Sequence, residues 1–133
     1  MRELLEAVAT GEVSPAEAET QLRGYATTGA GRFDAGRETR RGVPEGILAA
    51  GKSPSEVSAL TRAALETTGH ALVTRVSEAD VAAVTDEVAD GVLLDHDERG
   101  RTLVARCPGY ERPTLDAAVT IVTGGTADAA VAA

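Results

Sequence analysis

The chain has 133 residues, a formal net charge of -8 and a single cysteine, Cys107. That length fits one domain with room for little more than a fragment of a second. The acidic balance disfavours nucleic acid and anionic membranes as general partners. One cysteine excludes an intrachain disulfide and a cysteine-rich zinc site, and His70 and His96 are too far apart for a metal motif. No apolar run approaches the roughly 20 residues of a membrane span. The N-terminus, MRELLEAVATGEV, reads as an amphipathic helix rather than a signal peptide, so the cytoplasm is the expected compartment.

Taken in chain order, Leu4, Leu5 and Val8 predict a short helix stopped by Gly11. Ser14-Pro15-Ala16-Glu17 and Ser53-Pro54-Ser55-Glu56 are the same helix-opening device used twice. In each, serine accepts from a free N–H, proline occupies the first helical position, and the glutamate reaches back. Ala18, Leu22 and Tyr25 fall on one face after the first. Val57, Leu60, Ala64 and Leu65 do so after the second, which Gly69 stops. His70–Val76 is rich in β-formers and runs into a further cap at Ser77, with Val81, Val84 and Val88 at helical spacing behind it. Val92–Asp95 and Thr102–Arg106 flank a polar turn and predict a β-hairpin. Cys107–Asp116, with two prolines and a glycine, reads as a linker, and Ala117–Thr123 as a further strand, apolar on both faces. The expected organisation is an α+β domain over residues 1–106, a linker over 107–116, and the opening strand, turn and helix of an α/β unit over 117–133.

Two stretches are candidates for chemistry. Residues 32–53 gather Arg32, Arg37, Arg40, Arg41 and the sole lysine, Lys52, in an acidic chain, with Gly42 and Pro44 preventing a continuous helix. Arginine forks bind carboxylates and phosphates bidentately, so this loop could present cations to an anionic ligand. The alternative is that the arginines pair with Asp34, Glu38 and Glu45 and dock the loop. The second stretch, Val122-Thr-Gly-Gly-Thr-Ala-Asp128, places backbone N–H groups of Gly124 and Gly125, the Thr126 hydroxyl and a helix start at one point. Asp128 either accepts from a sugar hydroxyl or holds an ordinary turn. The lysine and third glycine of the familiar nucleotide loops are missing. Cys107 has no sequence neighbour that would activate it and reads as an unreactive thiol. No nucleophilic arrangement can be composed.

Asp34-x-x-Arg37-Glu38-x-Arg40-x-Gly42-x-Pro44-Glu45, with Gly51-Lys52-Ser53-Pro54, resembles the N-terminal portion of the LarB family of nickel-pincer-cofactor biosynthesis. The final turn is similar to the loop opening the related aminoimidazole ribonucleotide carboxylase (PurE) domain of flavodoxin-like α/β fold, with Ala127 where serine is usual. The resemblance implies carboxylation of the pyridinium ring of nicotinic acid adenine dinucleotide and cleavage of its phosphoanhydride. The implied products are pyridinium-3,5-biscarboxylic acid mononucleotide and AMP. It implies carbon dioxide or bicarbonate as co-substrate and Mg as a cofactor of the family, with no cofactor expected in this chain. It also implies a homo-oligomer in full-length relatives, and a catalytic cysteine downstream of the Gly-Gly turn that Cys107 cannot replace. Arg37, Arg40, Lys52, Gly124, Gly125, Thr126 and Asp128 are the expected substrate-binding residues, and none is catalytic. On this reading the chain is a truncated LarB-like protein, inactive alone. The alternatives are a purine-pathway carboxylase relative or a non-catalytic module that binds a nucleotide or partner.

An acidic, lysine-poor, aromatic-poor composition also suits work at high salt, where self-repulsion is screened. Thermal unfolding followed from dilute buffer to molar salt is expected to show a marked rise in midpoint; equal midpoints would exclude that adaptation.

Overall fold

In the computed structural model, residues 2–15, 18, 25–29, 31–114, 116–128 and 132 are described. The first helix, α1 (Arg2–Thr10), ends where expected, at Gly11 with φ 79°. Beyond it the Ala18 amide donates to Ser14 O at 2.9 Å, while most of the predicted second helix lies outside the described residues. Tyr25, expected on that helix, instead opens β1 (Tyr25–Thr28), which pairs antiparallel with β2 (Gly31–Asp34). The apolar positions before Tyr25 fit a helix, but Tyr-Ala-Thr-Thr is itself β-prone, and pairing with Arg32 and Phe33 decides the outcome.

The arginine-rich stretch is not one loop. It forms a one-turn helix, α2 (Arg37–Arg41), closed by Gly42 at φ 75°, and then β3 (Gly46–Leu48). Next come α3 (Pro54–Thr68), β4 (His70–Thr74), α4 (Glu78–Glu87), β5 (Leu93–Asp97) and β6 (Thr102–Arg106). The four later strands form a mixed sheet in the order β3-β4-β6-β5, with β3 parallel to β4 and the other pairs antiparallel. The predicted hairpin is therefore present, shifted so that His96 lies in β5 rather than in the turn.

Both central caps form as read. Ser53 Oγ accepts from the Glu56 amide, and the Glu56 carboxylate accepts from the Ser53 amide at 2.7 Å. Asp80 plays the same part for Ser77, at 2.8 Å. Helix α3 then buries Val57, Leu60, Ala64 and Leu65 against Ala71 and Val73 of β4, together with Phe33, Ile47, Leu103 and Ala105. Because strand side chains alternate, Leu72, Val104 and their row-mates face the opposite side.

Ala117–Thr123 does not form the expected strand. It has no regular secondary structure and is exposed, with Val119 at 88% and Ile121 at 67%, because no described strand lends it a ladder. Thr126–Asp128 form a 3-10 turn, and most of the predicted helix that follows lies outside the described residues. Among the described residues no helix is long and apolar enough to cross a membrane.

The Ser53 hydrogen bonds hold the Glu56 carboxyl below its ordinary value of 4.5, with Lys52 assisting. A lowered folded-state value makes the cap stabilising above the unfolded-state value and lost as pH falls through the folded-state one. Ser53→Ala should cost about 1 kcal/mol in denaturant unfolding at neutral pH. Glu56→Gln should flatten the loss of stability below the ordinary glutamate range, and an unchanged acid limb would refute that role.

Candidate functional site

The parallel pair β3–β4 has two ends, and the predicted cations divide between them. At the entry end, Arg37 opens α2 and its Nη1 donates to Glu45 Oε2 at 3.3 Å, an ion pair that leaves the guanidinium half-exposed. Glu38, one residue on, lies 3.9 Å from His70 Nε2 at the start of β4. His70 is held from two further sides. Its Nδ1 sits 3.2 Å from Thr68 O, and its ring lies on Tyr110 with centroids 4.6 Å apart. It is a packed histidine at the start of a strand. Arg40 lies in α2, and its side chain is outside the described set.

At the exit end, the turn after β3 carries Gly51 (φ 81°) and Lys52. The Lys52 ammonium folds back to donate to Leu48 O at 2.8 Å. Leu48 is the last residue of an edge strand, so the chain's sole lysine covers a main-chain carbonyl that no strand partner takes. Arg37 and Lys52 are therefore not neighbours: the strand between His70 and Thr74 separates their ends by roughly 13 Å. Neither has a hydrogen bond or ion pair to residues 124–128.

Ligands of α/β sheets commonly bind where parallel strands exit, and the sequence reading missed the cations that structure brings there. Arg75 and Arg101 both adopt left-handed backbone, at φ 58° and 54°. Arg101 ties the two turns together, donating from Nε to Val76 O and from Nη2 to Arg75 O, each at 3.1 Å. The signal for Arg75 was its position between a strand and a serine cap. Arg101 gave none, because its role depends on a contact 25 residues away. Both helix N-termini at this rim are already occupied, by Glu56 and Asp80.

The Gly-Gly turn is also closed on itself. Gly124 donates its amide to Asp128 Oδ2 at 3.0 Å, and the Asp128 amide donates to Gly125 O at 3.2 Å. The carboxylate sits where an anion's oxygen would, so here Asp128 holds the turn. Thr126 begins the 3-10 turn and is exposed. Cys107 is half-buried, with its thiol directed at Leu65 O (3.7 Å) and its amide donating to Gly69 O (2.8 Å). Among the described residues no group of three His, Cys, Asp or Glu side chains could hold a metal ion.

The sequence over residues 25–107, from the opening of β1 to the residue after β6, matches the family described as LarB/PurE-like N-terminal domain. The chain belongs to that family. The LarB-like domain is also similar to an uncharacterized protein of the archaeon Methanocaldococcus jannaschii, at 32% identity over 139 aligned positions covering 99% of this chain. It spans 53%, about half, of that relative's length. No solved structure matches.

If Asp128 alone occupies the Gly124 amide, Asp128→Ala should speed hydrogen exchange at Gly124 while leaving global unfolding unchanged; equal exchange rates would show the contact is not formed in solution.

Proposed function

We propose that this LarB-like domain serves a carboxylase acting on the pyridinium ring of nicotinic acid adenine dinucleotide, in which ring carboxylation accompanies cleavage of the phosphoanhydride. The observation that carries this reading is the family match over residues 25–107, which includes the Asp34-to-Glu45 and Gly51-to-Pro54 motifs. Residues 117–128 would open the PurE-like α/β unit of such an enzyme.

Within that reaction the domain's part is to bind and orient. The substrate carries several negative charges, and Arg37 is the predicted cation best disposed to meet one. It is half-exposed, and its partner Glu45 is a carboxylate that a substrate carboxylate or phosphate can replace at the same fork. Lys52 would have to release Leu48 O first. The Gly124 and Gly125 amides become available only if the Asp128 carboxylate swings out. Addition of a nucleophile to the ring belongs to none of the described side chains, since Cys107 faces a helix carbonyl.

The self-satisfied state of Arg37, Lys52 and the Gly-Gly turn favours a second reading, a non-catalytic module that binds a nucleotide or partner and carries no chemistry. Incubation with the dinucleotide and bicarbonate separates the two: AMP release supports the enzyme, and binding without turnover supports the module. On the first reading Arg37→Ala should weaken dinucleotide binding by about tenfold, the worth of one charge-assisted contact. Unchanged affinity would return Arg37 to a docking role with Glu45.

A further inference from the structure

Strand β3 starts late against β4: its first residue, Gly46, lies opposite Leu72. His70, at the head of β4, therefore has Arg106 of β6 on one flank and no residue of β3 on the other. Glu38 of α2 comes to it instead, with Oε2 3.9 Å from Nε2. The imidazole side chain is 11% exposed and the carboxylate side chain 40%. Helix α2 has a single turn and no side-chain cap at its N-terminus, so it is too short to hold its shape unaided. Among the described side chains two ionic contacts fasten it: Arg37 to Glu45, just ahead of β3, and Glu38 to His70. The second of these depends on a proton.

Thr68 O lies 3.2 Å from Nδ1 of the ring. A carbonyl only accepts, so Nδ1 carries the proton when the histidine is neutral, and Nε2 then turns a lone pair toward the Glu38 carboxylate. Two acceptors facing each other make no bond. A second proton, placed on Nε2, converts that meeting into a charge-assisted contact. We infer that His70 is a proton-operated latch for α2, closed when the imidazole is charged and open when it is neutral. Stacking on Tyr110, with ring centroids 4.6 Å apart, and the Thr68 contact keep the ring in the orientation the latch needs. The groups that face it are Glu38 from α2, Arg106 from β6, the Thr68 carbonyl from the end of α3 and Tyr110 from the segment after β6. Arg106 is matched by Asp95 of β5 at 3.6 Å and Arg37 by Glu45, which leaves Glu38 to answer the imidazolium. Histidine changes charge between about pH 5 and 8. The latch therefore holds at the acidic end of that window and lets go as pH rises through it. Because Glu38 is partly exposed, the contact adds little to global stability. What it sets is the attachment of the turn that carries Arg37, Arg40 and Arg41. This inference does not depend on the activity proposed above.

Backbone carbon shifts of Arg37–Arg41, followed by NMR in the whole chain from about pH 5 to 8, test it. They are expected to move from helical toward coil values as pH rises, in step with the ring signals of His70. The Gly42 amide, which closes α2 by donating to Glu38 O at 2.7 Å, gives a second readout. Its protection from exchange, with the intrinsic rate divided out, should fall about two- to fivefold over the same window, the weight of a part-exposed ion pair. Glu38→Gln separates the latch from any other titration. A side-chain amide can donate to Nε2 or accept from it and so meets either state of the ring. In that variant the His70 ring should still titrate while α2 no longer follows. His96, on β5, is the internal control, because its ring signals should be the same in both chains. Molar salt should shrink the response of α2 in the parent. Shifts in α2 that stay flat across the window, that track the His96 ring instead, or that persist in Glu38→Gln would each overturn the latch.

Discussion

Helix α3 is the element on which the rest of the structure depends. It touches both sheets, packing on β1 and β2 as well as on β3, β4 and β6, and it carries α4 on its flank. With only three aromatic side chains in the sequence, the core cannot be filled by bulk, so it is filled by approach. Ala64 has no exposed surface, Ala63 is buried, and Ala71 and Ala105 stand beneath the helix on the sheet. Small residues let the helix sit low, and low seating brings Val57, Leu60 and Leu65 into contact with Val73 and Leu103. Two buried hydroxyls belong to the same face. Thr61 returns its proton to Val57 O at 2.8 Å, whereas Ser58 Oγ is buried without a partner, the kind of cost a close helix–sheet contact can carry.

The position of α3 also determines where the cations go. Its capping box puts Glu56 at the exit end of the parallel pair, and Asp80 does the same one strand over. In an otherwise acidic chain this leaves positive side chains to satisfy main-chain carbonyls. Lys52 serves Leu48, and Arg101 serves Arg75 and Val76. At the entry end Arg37 is matched by Glu45, and Glu38 faces His70. Arg37, Lys52 and Arg101 are thus each engaged by groups of the domain itself.

Much of the fold was legible because its signals are local. The Ser-Pro-x-Glu box, the Ser77 cap, the glycine at φ 76° ending α3 and the β-rich run after it each act within a few residues. The strands that were missed are short and gain their identity from partners. Gly46-Ile-Leu48 is three residues, too few for a period, and becomes a strand only through its pairing with Leu72, Val73 and Thr74. Tyr25–Thr28 likewise needs Gly31–Asp34. Ala117–Thr123 is the reverse case, with strong local β-character and no ladder to realise it. Among the candidate site residues, the charge of Arg37 and Lys52 was legible and their separation was not, since only the parallel pairing of β3 with β4 sets them at opposite ends.

By itself, then, the sequence determined the caps, the helices behind them, the hairpin of β5 and β6 and the family, because those depend on chemistry carried by neighbouring residues. The tertiary structure decided which strands exist, which end of the sheet each cation occupies, and that Asp128 closes its own turn. It also decided that one face of the sheet is buried while the other sets Leu72 and Val104 among polar neighbours such as Thr74, Thr102 and Asp95. Those outcomes follow from contacts between residues far apart in the chain, and no local pattern encodes which partner a strand or a charge will find.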